Sequence, residues 1–198
     1  MDARFILACS DPAQLPPPSL TEVGVAGRSN CGKSSLINAV CGQHALARIS
    51  STPGRTRQLV FFLVTPAQGE PFHLVDLPGY GYARVSRTQQ QSWARLVNDY
   101  IDHRPTLRAL LLLCDIRREP GQEEHDLITW AVARELDLCV VLTKADKLNK
   151  SQRFAAASRA KAALSLTRRP QLFSMHDGKA VASVREELLG LAGEPKQV

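Results

Sequence analysis

An α/β fold is what the sequence predicts: a three-layer sandwich whose mostly parallel, six-stranded sheet carries helices on both faces. Three observations lead there. Short apolar runs alternate with segments of helical period along most of the chain, which is how strands joined through helices read. Residues 109–114 are apolar without interruption, as a central strand buried on both faces requires. Residues 27–32 form a glycine-bounded turn between a strand-like run and a helix-like one. The 198 residues suit a single domain. It is expected at 21–192, with 1–20 as an N-terminal extension packed on it and 193–198 as a disordered tail.

The elements follow in order. Pro12, Pro16, Pro17 and Pro18 make residues 11–19 extended rather than helical. The run 23–26 is a buried strand. Residues 33–40 form a helix, with Leu36, Ile37 and Val40 on one face. Residues 43–56 show no period and close on Thr52-Pro53-Gly54, so they read as a mobile loop. Strands at 59–64 and 72–75 flank a hairpin-like turn at 66–71. Gly79 and Gly81 open a second flexible stretch. A helix over 89–101 lines up Trp93, Leu96, Val97 and Tyr100. After the strand at 109–114 come a helix at 122–136, a strand at 138–142, an Ala-rich helix at 152–166, a short strand at 172–173 and a last helix at 181–191.

Lys and Arg number 25 against 19 Asp and Glu, a net charge of +6 that points to an anionic partner such as RNA or a lipid surface. No apolar stretch approaches the ~18 residues of a membrane-spanning helix. The first ten residues lack the pattern of a secretory signal. The five cysteines are scattered, with no Cys-x-x-Cys pair, which fits reduced thiols in a cytoplasmic protein.

Gly27-Arg28-Ser29-Asn30-Cys31-Gly32-Lys33-Ser34 matches G-x-x-x-x-G-K-S/T. Glycines let such a loop wrap closely and aim backbone N–H groups at phosphate oxygens. Lys33 reaches the β- and γ-phosphates, and the Ser34 hydroxyl joins Mg²⁺. The helix that follows points its positive end at the anion. The expected architecture is therefore that of a P-loop NTPase.

Asp76-Leu77-Pro78-Gly79 ends an apolar strand. Asp76 is placed to hold Mg²⁺, directly or through water, and the Gly79 amide can meet a γ-phosphate oxygen. Thr56, within the candidate contacts Gly54, Arg55, Thr56, Arg57 and Gln58, can complete the metal shell when the γ-phosphate is present, ordering its loop in that state alone. The plain alternative for Thr56 is a residue capping its own turn. The catalytic candidates are Lys33, Thr56 and Gly79; the metal ligands are Ser34, Thr56 and Asp76.

Thr143-Lys144-Ala145-Asp146 follows the strand at 138–142. A carboxylate there accepts both the N1–H and the exocyclic amine of guanine, donors that adenine does not present in that arrangement, so Asp146 selects GTP over ATP. Lys144 lays its stem over the base. The alternative is Asp146 as a helix cap. Phe173, Ser174 and Met175 can bring a backbone N–H to guanine O6.

Together these residues resemble the translation-factor-like GTPases. More closely they are similar to the bacterial EngB (YihA/YsxC) family, among the TrmE-Era-EngA-EngB-Septin-like GTPases. The resemblance covers nearly the whole chain. It takes in Ala3-Arg4-Phe5, Leu15-Pro16-Pro17, Gly27 to Asn30, Thr52-Pro53-Gly54-Arg55-Thr56, Asp76-Leu77-Pro78-Gly79-Tyr80-Gly81-Tyr82-Ala83 and Thr143 to Lys147. It implies GTP and Mg²⁺ binding, help in assembling the large ribosomal subunit, and a link to cell division and septation. Met175 departs from the family pattern, in which a small residue is usual.

Many GTPases place a Gln after the Asp-x-x-Gly glycine to orient the attacking water. Here that position is Tyr80, so slow intrinsic turnover, raised by a partner, is expected. Asn30 resembles the phosphate-loop Asn of potassium-activated GTPases; it either helps hold K⁺ or only shapes the loop. Residues 149–176 carry Lys150, Arg153, Arg159, Lys161, Arg168 and Arg169 with no Asp or Glu, either an RNA-facing surface or a solvated helix face. Other readings are a nucleotide-dependent scaffold for division proteins and a small-molecule kinase. The kinase is disfavoured by Asp146 and by the lack of an Arg-rich lid. A monomer is expected.

Overall fold

Seven strands make one sheet in the order β1-β3-β4-β2-β5-β6-β7. The computed structural model describes residues 1–47, 58–81 and 87–193, with only the backbone at 87–94. The strands are β1 (Asp2–Cys9), β2 (Glu22–Gly27), β3 (Leu59–Thr65), β4 (Phe72–Asp76), β5 (Leu107–Asp115), β6 (Asp137–Thr143) and β7 (Gln171–Leu172). The helices are α1 (Lys33–Cys41), α2 (Arg87–His103), α3 (Gln122–Ala133), α4 (Lys150–Ala163) and α5 (Gly178–Ala192). Only β3 runs against the others: β1 and β4 pair with it antiparallel, and β2, β4, β5, β6 and β7 pair in parallel. No helix of the described residues is long and apolar enough to cross a membrane.

The two faces of the sheet follow from the pleat, because successive side chains point to opposite sides. From β5, Ala109, Leu111 and Leu113 pack with Leu36, Ile37 and Val40 of α1 and Val184, Leu188 and Leu191 of α5. The alternate residues Leu110, Leu112 and Cys114 pack with Leu96, Val97, Tyr100 and Ile101 of α2, Leu127 and Ala131 of α3, and Ala156, Ala157 and Ala160 of α4. An uninterrupted apolar strand is thus covered on both sides, as its composition requires.

The expected six strands become seven. The extra one is β1, inside the stretch read as an N-terminal extension. As an edge strand it is half exposed, and its register slips between Phe5 and Leu7. Burial therefore does not impose a two-residue alternation on its sequence, and a bulge of this kind blunts an open sheet edge. Residues 12–14 add a short 3-10 turn to the extended Pro-rich segment.

That segment is tied down by a buried ion pair at the end of the sheet where β2 begins. Glu22 is fully buried and accepts hydrogen bonds from Arg104, from the Tyr100 hydroxyl at 2.8 Å and from Thr106 Oγ1 at 2.9 Å. Arg104 donates a further bond to the Pro16 carbonyl at 2.7 Å. A buried carboxylate persists only when its lone pairs are filled in this way. The opposite end of the sheet, where the parallel strands terminate, is left for the site.

Candidate nucleotide site

The C-terminal ends of β2, β4, β5 and β6 and the loop after β7 converge, which is where open α/β sheets bind ligands. β2 ends at Gly27, and residues 28–32 turn the chain into α1. Asn30 adopts left-handed backbone at φ +60°, a conformation that Asn tolerates better than most residues. Gly32 caps α1 without a side chain. The helix thus opens on backbone N–H groups and on Lys33 and Ser34, a ready anion site. Lys33 Nζ lies 3.4 Å from the Gly27 carbonyl, folded back over the loop.

β4 brings Asp76 beside this loop. Its carboxylate is buried, and Oδ1 meets no hydrogen-bond partner among the described residues. Burial pushes its pKa up to about 6, with the Lys33 ammonium pulling the other way. An orphaned, desolvated carboxylate oxygen beside a phosphate loop fits a hard divalent cation such as Mg²⁺. Ser34 begins the adjoining helix and offers a second oxygen.

The chain after Asp76 lies against the phosphate loop. Leu77 N donates to the Val25 carbonyl at 2.9 Å, and Ser29 N to the Tyr80 carbonyl at 2.8 Å. Leu77, Pro78 and Gly79 are all buried. A Cβ on Gly79 would stand 3.0 Å from Lys33 Nζ and 3.2 Å from Ser29 N, so only glycine lets the backbone approach the ammonium this closely.

Tyr80 differs from its expected setting on a flexible loop. It is buried, and its hydroxyl donates to Glu124 Oε1 at 2.9 Å. Glu124 Oε2 accepts from Gly121 N at 2.7 Å, capping α3. Arg28 completes the connection with an ion pair from Nη1 to Glu123 Oε2 at 3.3 Å. The first turn of α3 thereby holds both the phosphate loop and the segment after Gly79. Burial first, then the Glu124 carboxylate, push the phenol far above its ordinary range.

β6 delivers Thr143 and the loop expected to read the base. Thr143 Oγ1 donates to the Cys31 carbonyl, and Lys144 Nζ to the Asn30 carbonyl at 2.7 Å. Lys144, at φ +58°, also pairs with Asp115 Oδ2 at 2.9 Å. Ala145 N donates to the Phe173 carbonyl at 3.0 Å, which clips the loop after β7 to this one. Asp146 accepts from Ser174 Oγ at 3.0 Å and pairs with Lys147 at 3.2 Å. Its burial is slight, and these bonds outweigh it, holding the carboxyl below its usual value and ionised as a guanine reader needs. Phe173 and Ser174 are buried, and Met175 is 54% exposed. Met175 thus points its bulk to solvent.

The structure brings together Gly27, Arg28, Ser29, Asn30, Cys31, Gly32, Lys33, Ser34, Asp76, Leu77, Pro78, Gly79, Thr143, Lys144, Ala145, Asp146, Phe173 and Ser174. Gln58 stands exposed and donates to Ser10 Oγ at 3.0 Å, which links it to the end of β1. Gly54, Arg55, Thr56 and Arg57 lie outside the described residues, as does most of the loop expected to be mobile.

Sequence reasoning missed Asp115, Arg117, Glu123 and Glu124. Asp115 is the last residue of β5, across from Thr143 in register. It accepts from Arg117 at 2.7 and 2.9 Å and pairs with Lys144. Burial opposes its ionisation, but these bonds hold its carboxyl well below the usual range. A carboxylate closing the apolar run 109–114, level in register with Thr143, was the available signal.

Comparison with known proteins agrees with this geometry. The family described as "50S ribosome-binding GTPase" matches residues 22–144. A probable GTP-binding protein EngB of Syntrophomonas wolfei is 40% identical over 178 residues, 90% of each chain. Its counterpart in Stenotrophomonas maltophilia is 42% identical over 195 residues, 96% of each chain. Among solved structures, a probable GTP-binding protein EngB superposes with a TM-score of 0.68 at 17% identity, over 87% of this chain and 98% of that one. Era in complex with MgGDPNP and a segment of 16S ribosomal RNA superposes with a TM-score of 0.73 at 19% identity, over 90% of this chain and 59% of that one. At such identities these structures speak for the fold.

Proposed function

Because the chain belongs to the EngB family of GTP-binding proteins, we propose that it is a Mg²⁺-dependent guanine-nucleotide switch with slow intrinsic hydrolysis. We propose further that it assists assembly of the large ribosomal subunit in the cytoplasm and is needed for normal division and septation. The observation that carries the Mg²⁺ reading is the buried Oδ1 of Asp76, which has no hydrogen-bond partner among the described residues and lies within the field of the Lys33 ammonium. Asp76, Ser34 and Thr56 are the residues that would hold the metal, which would supply neutralisation of phosphate charge when bound.

The chain's own residues do the rest. Lys33 and the loop amides bind and orient the phosphates. Gly79, packed against Lys33, offers its amide to the γ-phosphate and so senses it. Thr56 joins when GTP is present and ties its loop to nucleotide state. Asp146 takes the guanine edge, and Lys144, anchored by Asp115 and Asn30, stacks along the base. Slow hydrolysis is supported by Tyr80, whose hydroxyl is committed to Glu124 rather than offered to an attacking water. Asn30 is a candidate contact for K⁺, and equal turnover in KCl and NaCl would remove it. We take the active form to be a monomer.

Co-sedimentation with purified ribosomal subunits tests the partner. The protein loaded with a non-hydrolysable GTP analogue should pellet with the large subunit, less so at higher salt, and not when loaded with GDP. Absence of binding in both states, with nucleotide affinity confirmed, would overturn the ribosomal role.

A further inference from the structure

α4 carries an exposed aromatic that nothing in the nucleotide site explains. Phe154 is 58% exposed. The Arg169 guanidinium, on the segment that returns from α4 to β7, lies 4.3 Å from its ring centroid. One face of the ring is backed by a delocalised cation and the rest is open to solvent. Lys150 and Lys161 share the helix stripe of Phe154, within about 40° of it at 3.6 residues per turn. They stand about 6 Å and 10 Å from it along the axis, one on each side.

The charge carried by the segment that bears this ring is of one sign. Residues 149–176 contain six Lys and Arg and no Asp or Glu. Two of the six are already engaged: Arg153 donates to the Leu148 carbonyl at 2.8 Å, and Arg168 pairs with Glu187 at 2.9 Å. The side chains of Lys150, Lys161 and Arg169 make no hydrogen bond or ion pair to protein groups among the described residues; Lys150 and Arg169 are exposed and Lys161 is partly so.

We infer that this face of α4 is a docking surface for single-stranded RNA. A base stacks on the open face of Phe154, with Arg169 behind it, while Lys150 and Lys161 take the flanking phosphates. An acidic peptide would use the cations and leave the ring bare. Duplex RNA hides its base faces, so only an unpaired strand uses ring and charges together. The inference rests on the ribosomal reading for its choice of RNA, and it adds where the strand lies and what reads it.

The test is fluorescence anisotropy with the full chain, loaded with a GTP analogue, and a labelled unstructured RNA of about a dozen nucleotides, long enough to span one stacking platform and its flanking charges. Phe154→Ala should weaken binding about tenfold or more, the loss expected for one stacked base. Phe154→Trp should restore it, and Arg169→Ala should weaken it. Removing Lys150 and Lys161 together should lower the slope of log affinity on log salt by about 1.4. Lys179→Ala, on α5, should change nothing. All these positions are exposed or partly exposed on the surface, and unaltered GDP affinity and melting temperature confirm the fold of each variant.

Binding that ignores Phe154, or that is equally strong for a duplex of the same length, overturns the surface. The two readings fail separately. Subunit co-sedimentation that persists in Phe154→Ala, with unchanged oligonucleotide binding, leaves the ribosomal role and removes this surface. Phe154-dependent binding of the oligonucleotide without any subunit binding does the reverse.

Discussion

Two carboxylates at strand ends do opposite electrostatic work. Asp76 sits in a place that disfavours its own charge. Its raised pKa of about 6 means that the folded protein holds a proton which the unfolded chain, near 3.8, has released. Stability of the nucleotide-free protein therefore falls as pH rises between these values, by about 3 kcal/mol in all. Asp76→Asn should remove that slope and raise stability at about pH 7.5, measured by urea unfolding at that pH and at about pH 5. It should also abolish the tightening of GDP by Mg²⁺. Lower stability of the variant at the higher pH would mean that the carboxylate is not a desolvated charge. Asp115 is the contrary case, favoured by two cations. A depressed pKa contributes stability that is present above the unfolded value and lost as pH falls towards the folded one. Its functional role is to hold Lys144. Asp115→Asn should weaken GDP and GTP alike, about tenfold, because a charge-assisted bond becomes a neutral one. Selective loss of one nucleotide would contradict a role through Lys144.

At the scale of elements, α3 braces the phosphate loop and the segment after Gly79. Glu124 closes the cap of its own helix with one oxygen and holds Tyr80 with the other, while Glu123 reaches Arg28. Tyr80→Phe should cost about 1–2 kcal/mol of stability, since a buried carboxylate oxygen loses its donor. Single-turnover hydrolysis by the variant should be unchanged; a tenfold fall would show that the phenol acts on water after all. None of this coupling was legible in the sequence. Tyr80 and Glu124 are 44 positions apart, and only the packing of α3 against the sheet makes them neighbours. The parallel strands and their helices were legible, because burial on both faces writes an apolar run and a helix face writes a 3.6-residue period. β1 was not, because an exposed, bulged edge escapes that constraint. It pairs with β3 through seven residue pairs. Removing residues 1–9 should therefore lower the melting temperature by several degrees, as losing a strand's worth of pairing from a domain of this size would, and expose β3 as the new edge. A truncated chain as stable as the whole would show that the strand adds nothing to the domain.

The whole molecule is a sheet with its polar work at one end. The Glu22–Arg104 pair locks the far end, and the phosphate loop, Asp76, Asp115, Asp146 and Ser174 gather where the parallel strands stop. The phosphate loop and the string Thr143 to Asp146 stand out in the sequence because each is contiguous, with a spacing that a bound nucleotide would dictate. The groups that hold them in place are dictated by the fold and are scattered through the chain. We propose that this end of the sheet reads guanine and a Mg²⁺-bound phosphate chain together. Equilibrium titration with fluorescent GDP, with unlabelled GTP, ATP and XTP as competitors, with and without Mg²⁺, tests it most directly in the wild type and in Asp146→Asn. The account predicts that GTP competes and ATP does not, that Mg²⁺ tightens binding, and that Asp146→Asn loses GTP by about a hundredfold while gaining XTP, whose 2-oxo group accepts from an amide. Equal competition by ATP, or an Asp146→Asn variant that still prefers GTP, would contradict it.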